Sequence, residues 1–302
     1  MPSTGAPIAS PAARTSATAL APDRVAAYLR RLGVERPARP TLPALRALHR
    51  AHVERVPYET LDVQLGRPTT VNPLDSAERV LRGRGGYCVQ LNGAFTALLT
   101  ALGYDVTWHR AGVQGSAAAP PSSADHAPHL APTVTLDGEV WLTDVGLGDG
   151  LYEPVPLTAG EHTQGPFTFR LGPSQVEPGG WRFDHDPRGA IAGMDIETEP
   201  ADEDDFARWH GYLCTSPESR LVRAAVVMRR DAVGADCLTG CVLRRIEGTG
   251  RSVRELTGAD EWFGVLEDVF GLDLTDLDPA ERAALWTKVR TAHEAWRAAR
   301  AR

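Results

Sequence analysis

The sequence predicts an α+β fold, and three observations predict it. Apolar residues recur at helical spacing through the first hundred residues. From Val106 the period drops to two, in short segments separated by Gly and Pro turns. From Asp202 the helical period returns, interrupted by two strand-like runs. The expected division is a disordered tail over 1–21, a helical bundle over 22–105, a β-barrel over 106–200 and an α/β unit over 201–302.

Each element has its own signal. Asp23 to Leu32 and Leu42 to Val53 carry apolar residues on one helical face, and Gly33 closes the first as a C′ residue would. Leu74 to Leu81 is a third, shorter helix. In Val89 to Leu102 the residues Leu91, Phe95, Leu98, Leu99 and Leu102 form a buried stripe. Val106 to Val113 alternates as a strand does. Gln114 to Pro128 is small, polar and Pro-rich, so it reads as a loop. Pro132 to Val145 reads as a hairpin, because Asp137-Gly138 is a strong two-residue turn signal. Further strands are expected at Phe167 to Leu171, Trp181 to Asp184 and Met194 to Thr198. Leu221 to Arg230 and Cys237 to Ile246 are expected as two long strands joined by a Gly-containing turn. Glu261 to Phe270 and Pro279 to Ala299 are expected as amphipathic helices, with Trp286 and Trp296 as core anchors.

Composition excludes several function classes. The 302 residues hold 32 Lys+Arg against 39 Asp+Glu, a formal net charge of −7, so no basic surplus is available to replace counterions on nucleic acid. No apolar run is long enough for a membrane span. Residues 1–21 lack the basic start and apolar core of a signal peptide, and their Ala, Ser, Thr and Pro read as disorder. Cys88, Cys214, Cys237 and Cys241 show neither zinc-site nor disulfide-framework spacing, so a reducing, cytoplasmic setting with no metal is expected. Cys237 and Cys241 are expected on one face of a strand, as small core residues.

Cys88 differs from the other three. It follows Gly85-Gly86-Tyr87 and opens the Val89 to Leu102 helix. A thiol there meets the positive end of the helix dipole and unpaired N–H groups, which stabilise a thiolate. A base and its orienter are predicted by the hairpin. With Asp137-Gly138 as the turn, Asp144 falls opposite Ala131, and His129 lies two residues away on the same face. A carboxylate so placed can fix an imidazole tautomer. His126 is the rival base, but the register turns it to the other face. Gly83-Arg84-Gly85-Gly86 is no phosphate loop, because it lacks the Gly-Lys-Ser/Thr ending.

These residues carry a resemblance. Arg84-Gly85-Gly86-Tyr87-Cys88-Val89-Gln90-Leu91-Asn92 resembles the Arg-Gly-Gly-x-Cys-x-x-x-Asn signature of the arylamine N-acetyltransferase family. Val56 to Val63 resembles its Pro-Phe-Glu-Asn-Leu element, and Asp144-Val145-Gly146-Leu147-Gly148 its Asp-Val-Gly-Phe-Gly element. Thr215-Ser216-Pro217-Glu218-Ser219 is similar to its Ser/Thr-x-Pro-x-Ser element. The agreement runs from about residue 22 to about residue 275. The resemblance implies a helical bundle, a β-barrel and an α/β lid, with a cysteine-protease-like core. It also implies a Cys-His-Asp triad: Cys88 the nucleophile, His129 the base, Asp144 the orienter. The departures are Val89 and Gln90 for Phe-Glu, Tyr58 for Phe, Thr60 for Asn, Leu147 for Phe, and Pro128 where a hydroxyl residue is common.

The function so implied is acyl transfer from acyl-CoA, most simply acetyl-CoA, through acyl-Cys88 to the nitrogen of an arylamine. No bound cofactor is expected, and no CoA contact is identified. A second reading keeps the triad but takes a long acyl chain from a carrier protein and closes a macrolactam, as amide synthases of secondary metabolism do. A third is a non-catalytic scaffold, which an intact triad disfavours.

Overall fold

The structure, a computed structural model, describes residues 19–125 and 128–300. The expected tail over 1–21 falls almost wholly outside the described residues, and so does His126.

The first part of the chain is helical because its apolar spacing leaves no other way to bury it. In α1 (Pro22–Leu32) Val25, Tyr28, Leu29 and Leu32 all point inward, and Gly33 ends the helix at φ 61°. In α2 (Leu42–Arg55) the Thr41 side chain accepts a hydrogen bond from the Ala44 N–H. A two-residue strand β1 (Tyr58–Glu59) and a short helix α3 (Leu61–Leu65) follow, neither marked by periodicity. Asn72 caps α4 (Pro73–Leu81). The next helix, α5 (Cys88–Ala101), is buried continuously from Val89 to Leu99 and forms the axis of this layer.

Eight antiparallel strands form the second layer: β2 (Asp105–Gln114), β3 (Pro128–Leu136), β4 (Glu139–Leu142), β5 (Val155–Pro156), β6 (Gly160–Gln164), β7 (Phe167–Pro173), β8 (Trp181–Asp184) and β9 (Gly193–Pro200). Their order is β5-β4-β3-β2-β9-β8-β7-β6. The edge strands β5 and β6 are neighbours in the chain. Gln164 on β6 accepts from the Tyr152 N–H at 2.7 Å and donates to the Glu153 carbonyl at 2.9 Å. The sheet is thus a nearly closed barrel, which leaves few exposed strand edges. Phe167, Phe169, Phe183, Met194 and Ile196 fill it.

The last part comprises α6 (Asp204–Thr215), α7 (Arg220–Arg223), β10 (Val226–Arg230), β11 (Gly234–Thr239), β12 (Val242–Glu247), β13 (Gly250–Glu255), α8 (Ala259–Asp268) and α9 (Pro279–Arg300). Its sheet runs β1-β10-β11-β12-β13, so β1 joins the helical region to the C-terminal sheet. Among the described residues no helix is long and apolar enough to cross a membrane.

Three sequence expectations are corrected here. Leu221 to Arg230 is not one strand: the Ser219 hydroxyl accepts from the Leu221 N–H and starts α7, so extended chain begins only at Val226. Cys237 to Ile246 is a hairpin, because Gly240 at φ 56° reverses the chain and Thr239 pairs with Val242. Cys237 and Cys241 therefore lie in different apolar clusters, one with the barrel residues and one with α8 and α9, rather than on one face. Trp286 packs against the core, but Trp296 is 44% exposed, since only Leu285, Val289 and His293 of α9 are buried.

Candidate active site

The site is assembled from α5, β3 and the loop after β4. Asp137 at φ 53° and Gly138 at φ 84° make the tight turn between β3 and β4. The register is the expected one, from Leu136 with Glu139 to Thr133 with Leu142. The ladder ends there, with the Thr143 N–H still bonded to the Pro132 carbonyl at 2.9 Å. Asp144 therefore leaves the sheet before reaching Ala131. Its carboxylate nonetheless meets the ring: His129 Nε2 lies 2.6 Å from Asp144 Oδ2, with both side chains buried.

Asp144 is held from a second direction. Asn92, one helical turn after Cys88, donates through Nδ2 to Asp144 Oδ1 at 2.8 Å and to the Leu130 carbonyl at 2.7 Å. Asn92 Oδ1 accepts from the Val145 N–H at 2.9 Å, and the Gly146 N–H donates to Asp144 Oδ1 at 2.8 Å. A Cβ on Gly146 would stand 2.6 Å from Asn92 Nδ2 and 2.9 Å from the Cys88 Cα. Only glycine lets this loop press against the start of α5.

The electrostatics follow from this packing. Burial favours neutral His129, but the charges of Asp144 and Cys88 outweigh it and raise its pKa well above the usual imidazole value. Burial also opposes ionisation of Asp144. The His129 charge and the bonds from Asn92 and Gly146 prevail, so its pKa is lowered. The Asp144 carboxylate holds Nε2, so Nδ1 is the ring nitrogen left to interact with Cys88. The half-buried Cys88 stands close enough to help raise the ring's pKa. Burial pushes the thiols of Cys214, Cys237 and Cys241 up.

The segment leading into Cys88 is clamped by buried charge. Arg84 donates to Glu59 at 3.1 Å and Asp62 at 3.3 Å, while Arg79 donates to the Gly85 carbonyl at 3.1 Å and to Glu59 at 2.9 Å. The Glu59 N–H bonds the Gly86 carbonyl at 2.9 Å. Next to Cys88, the Tyr87 hydroxyl donates to His210 Nδ1 and His210 Nε2 donates to the Thr69 carbonyl, both at 2.7 Å.

The structure thus brings the three sequence-predicted residues together. Sequence reasoning gave no role to Asn92, Glu59, Asp62 or Arg79. For Asn92 a signal existed, since four residues after Cys88 is one turn along the same helix face. For Glu59, Asp62 and Arg84 the only signal was their place in the family motifs; local spacing gave none, because the cluster's members come from β1, α3, α4 and a loop.

The chain matches a family model described as N-acetyltransferase over residues 41–278. It belongs to the arylamine N-acetyltransferase family. It is 28% identical over 213 residues to arylamine N-acetyltransferase 1 of Felis catus, covering 63% of this chain and 81% of that one. It is 35% identical over 153 residues to proansamycin X synthase of Amycolatopsis mediterranei, covering 49% of this chain and 57% of that one. The structure of Mycobacterium marinum arylamine N-acetyltransferase in complex with CoA superposes with a TM-score of 0.79 at 25% identity, covering 89% of this chain and 99% of that one. Against this family the Tyr58 departure has a structural consequence, since the tyrosine places a phenol within the field of Cys88.

Proposed function

We propose that this arylamine N-acetyltransferase family member moves an acyl group from acyl-CoA to the nitrogen of an arylamine by way of acyl-Cys88. One observation carries the reading. His129 is pinned through Nε2 by a buried carboxylate, with its raised pKa owed in part to a neighbouring thiol. That is how an imidazole is prepared to take a thiol proton and return it.

Cys88 gives its proton to His129, and its sulfur attacks the thioester carbonyl. The unpaired N–H groups that open α5 stabilise the oxyanion. The intermediate collapses, the carbon–sulfur bond to CoA breaks, and the departing thiol takes the proton from His129. The amine then attacks acyl-Cys88, His129 accepts its proton, and the Cys88 thiol is regenerated as the amide leaves. Asp144 keeps the ring in one tautomer and stabilises its charged form. Asn92 and Gly146 keep Asp144 in place.

The CoA complex of the M. marinum relative supports CoA as donor, and the names of the other relatives support an arylamine acceptor. The proansamycin X synthase relative supports a second reading, in which a carrier-bound long acyl chain is the donor and a macrolactam the product. The four free cysteines support action in a reducing cytoplasm.

Intact-mass spectrometry after mixing with acetyl-CoA tests the chemistry. Wild-type protein gains one acetyl group and Cys88→Ala gains none; acetylation of the Cys88→Ala variant sinks the proposal. Replacing acetyl-CoA by a long-chain acyl thioester on pantetheine separates the two donors by rate.

A further inference from the structure

A hydrogen-bond chain beside Cys88 has no part in that mechanism. Tyr87, the residue before Cys88, is 1% exposed and is held at both ends. Its N–H donates to Gln90 Oε1 at 3.2 Å, and its hydroxyl donates to His210 Nδ1 at 2.7 Å. Both holders are anchored in the segment between α3 and α4. Gln90 Nε2 donates to the Thr70 carbonyl at 3.1 Å, and His210 Nε2 donates to the Thr69 carbonyl at 2.7 Å. A carbonyl only accepts, so the Thr69 bond keeps a proton on Nε2 and leaves the Nδ1 lone pair to the phenol. The two rings stack at 10°, with centroids 6.0 Å apart. The Cys214 sulfur, one helical turn after His210, lies 3.6 Å from the same Nδ1. Of the α6 residues only Phe206 is fully buried, so His210 brings a ring from a surface helix to a buried phenol.

We propose that His210 is a positioning residue which, acting through the Tyr87 hydroxyl, holds Cys88 at the angle where its thiol meets His129, a role that rests on the acyl-Cys88 reading for the identity of the reacting group. Tyr87 is the N-cap of α5, with φ −89° and ψ 179°. Rotation there swings the Cys88 Cα and its sulfur together, and a small misplacement of a reacting atom is costly in rate. A buried phenol that loses its acceptor turns to find another, and the backbone it is attached to turns with it. His129 and Tyr58, which also lie in the field of Cys88, come from other elements and take no part in this chain.

The two bonds of the ring can be removed one at a time. In His210→Asn the amide oxygen replaces Nδ1 and still accepts from Tyr87, while the Thr69 bond is lost. In His210→Gln the amide nitrogen replaces Nε2 and still donates to Thr69, while Tyr87 loses its acceptor. Alkylation of Cys88 by iodoacetamide is followed against pH on the Cys88 peptide by mass spectrometry, so that Cys214 does not contribute. Tyr87→Phe and His210→Gln each raise the pH midpoint by about one unit, which is about tenfold in rate below it, and the double variant is no slower than either. His210→Asn stays closer to wild type than to His210→Gln. With acetyl-CoA the variants keep the same order, and the loss falls on kcat rather than on KM. If His210→Asn is as slow as His210→Gln, the ring only docks α6 onto the Thr69 segment and the positioning role is wrong. A wild-type midpoint in Tyr87→Phe overturns it equally, whatever the stability of the His210 variants. Alkylation needs no acyl donor, so failure of the acyl-transfer reading is told apart from failure of this one.

Discussion

Among the described residues two buried His–Asp pairs lie beside a cysteine, and they differ in hydrogen bonding and in access. His129 and Asp144 lie 2.6 Å apart, while His185 and Asp149 lie 3.5 Å apart inside the barrel. Both carboxylates come from the same loop, five residues apart. Asp144 receives bonds from Asn92 and Gly146. Asp149 Oδ2 accepts from the Ala190 N–H at 2.7 Å, but Oδ1 has no hydrogen bond. His185 is enclosed by the edges or faces of Phe167, Phe169 and Phe183, with centroids 6.4, 5.1 and 6.1 Å away. Its cysteine, Cys237, is buried, and burial together with the Asp149 charge pushes that thiol well up. Cys88 is half-buried at a helix start. The same three residue types therefore make a hydrogen-bonded set beside a half-buried thiol in one place and a fully enclosed set in the other. Access and hydrogen-bond completion separate them.

The sharpest way to break this comparison is to disable each carboxylate in turn. Asp144→Asn should lower the rate of Cys88 acylation about 10⁴-fold, because the amide favours the wrong tautomer. Asp149→Asn should change that rate only a few-fold. Comparable losses in the two variants would mean that both pairs serve the chemistry.

The next effect is on stability. His185→Leu leaves Asp149 buried without its counter-charge, and breaking such a pair costs about 3–5 kcal/mol. Urea denaturation reads this directly. A loss below 1 kcal/mol would show that Arg230, which also feels the Asp149 charge, carries the balance alone.

Asn92→Ala should act on the first pair alone, at intermediate size. It leaves Asp144 and the Val145 N–H short of bonds, at about 1–3 kcal/mol, or about tenfold to a hundredfold in acylation rate. The rate against pH should shift as well, since one of the bonds that lowers the Asp144 pKa is gone.

The most gradual effect is a pH trend. His185 and His129 both have folded pKa values raised above 6.5, His129 to about 10. Groups of this sign contribute stability fully below the unfolded value, and the contribution is lost as pH rises through the folded value. Folding stability should therefore decline as pH rises above 6.5, and for His129 up to about 10, by at most about 1.4 kcal/mol per pH unit. Denaturation midpoints in His185→Leu should fall less steeply over that range than in wild type.

The hairpin shows how far the sequence could be read. Asp137-Gly138 set a register that the structure reproduces pair by pair from Leu136–Glu139 to Thr133–Leu142. Asp144 lies outside that ladder, because the strand ends two residues earlier and the loop carries Asp144 to the ring by another route. The α5 stripe was legible because a 3.6-residue period survives without knowledge of neighbours. Cys237 and Cys241 were misread because a single αL glycine resets strand alternation. Apolar alternation alone did not register the hairpin reversal at Gly240.

The sequence by itself determined the helices, the tight turn and a thiol at a helix start, since these depend on residues close along the chain. Only the tertiary structure decided which His–Asp pair stands open to a thiol, which lies sealed among phenylalanines, and which side chains complete each one. Those are questions of burial and of donors arriving from distant elements. The hairpin spacing already brings His129 and Asp144 to one face, but Asn92 on α5 reaches Asp144 only when the helical layer packs against the barrel.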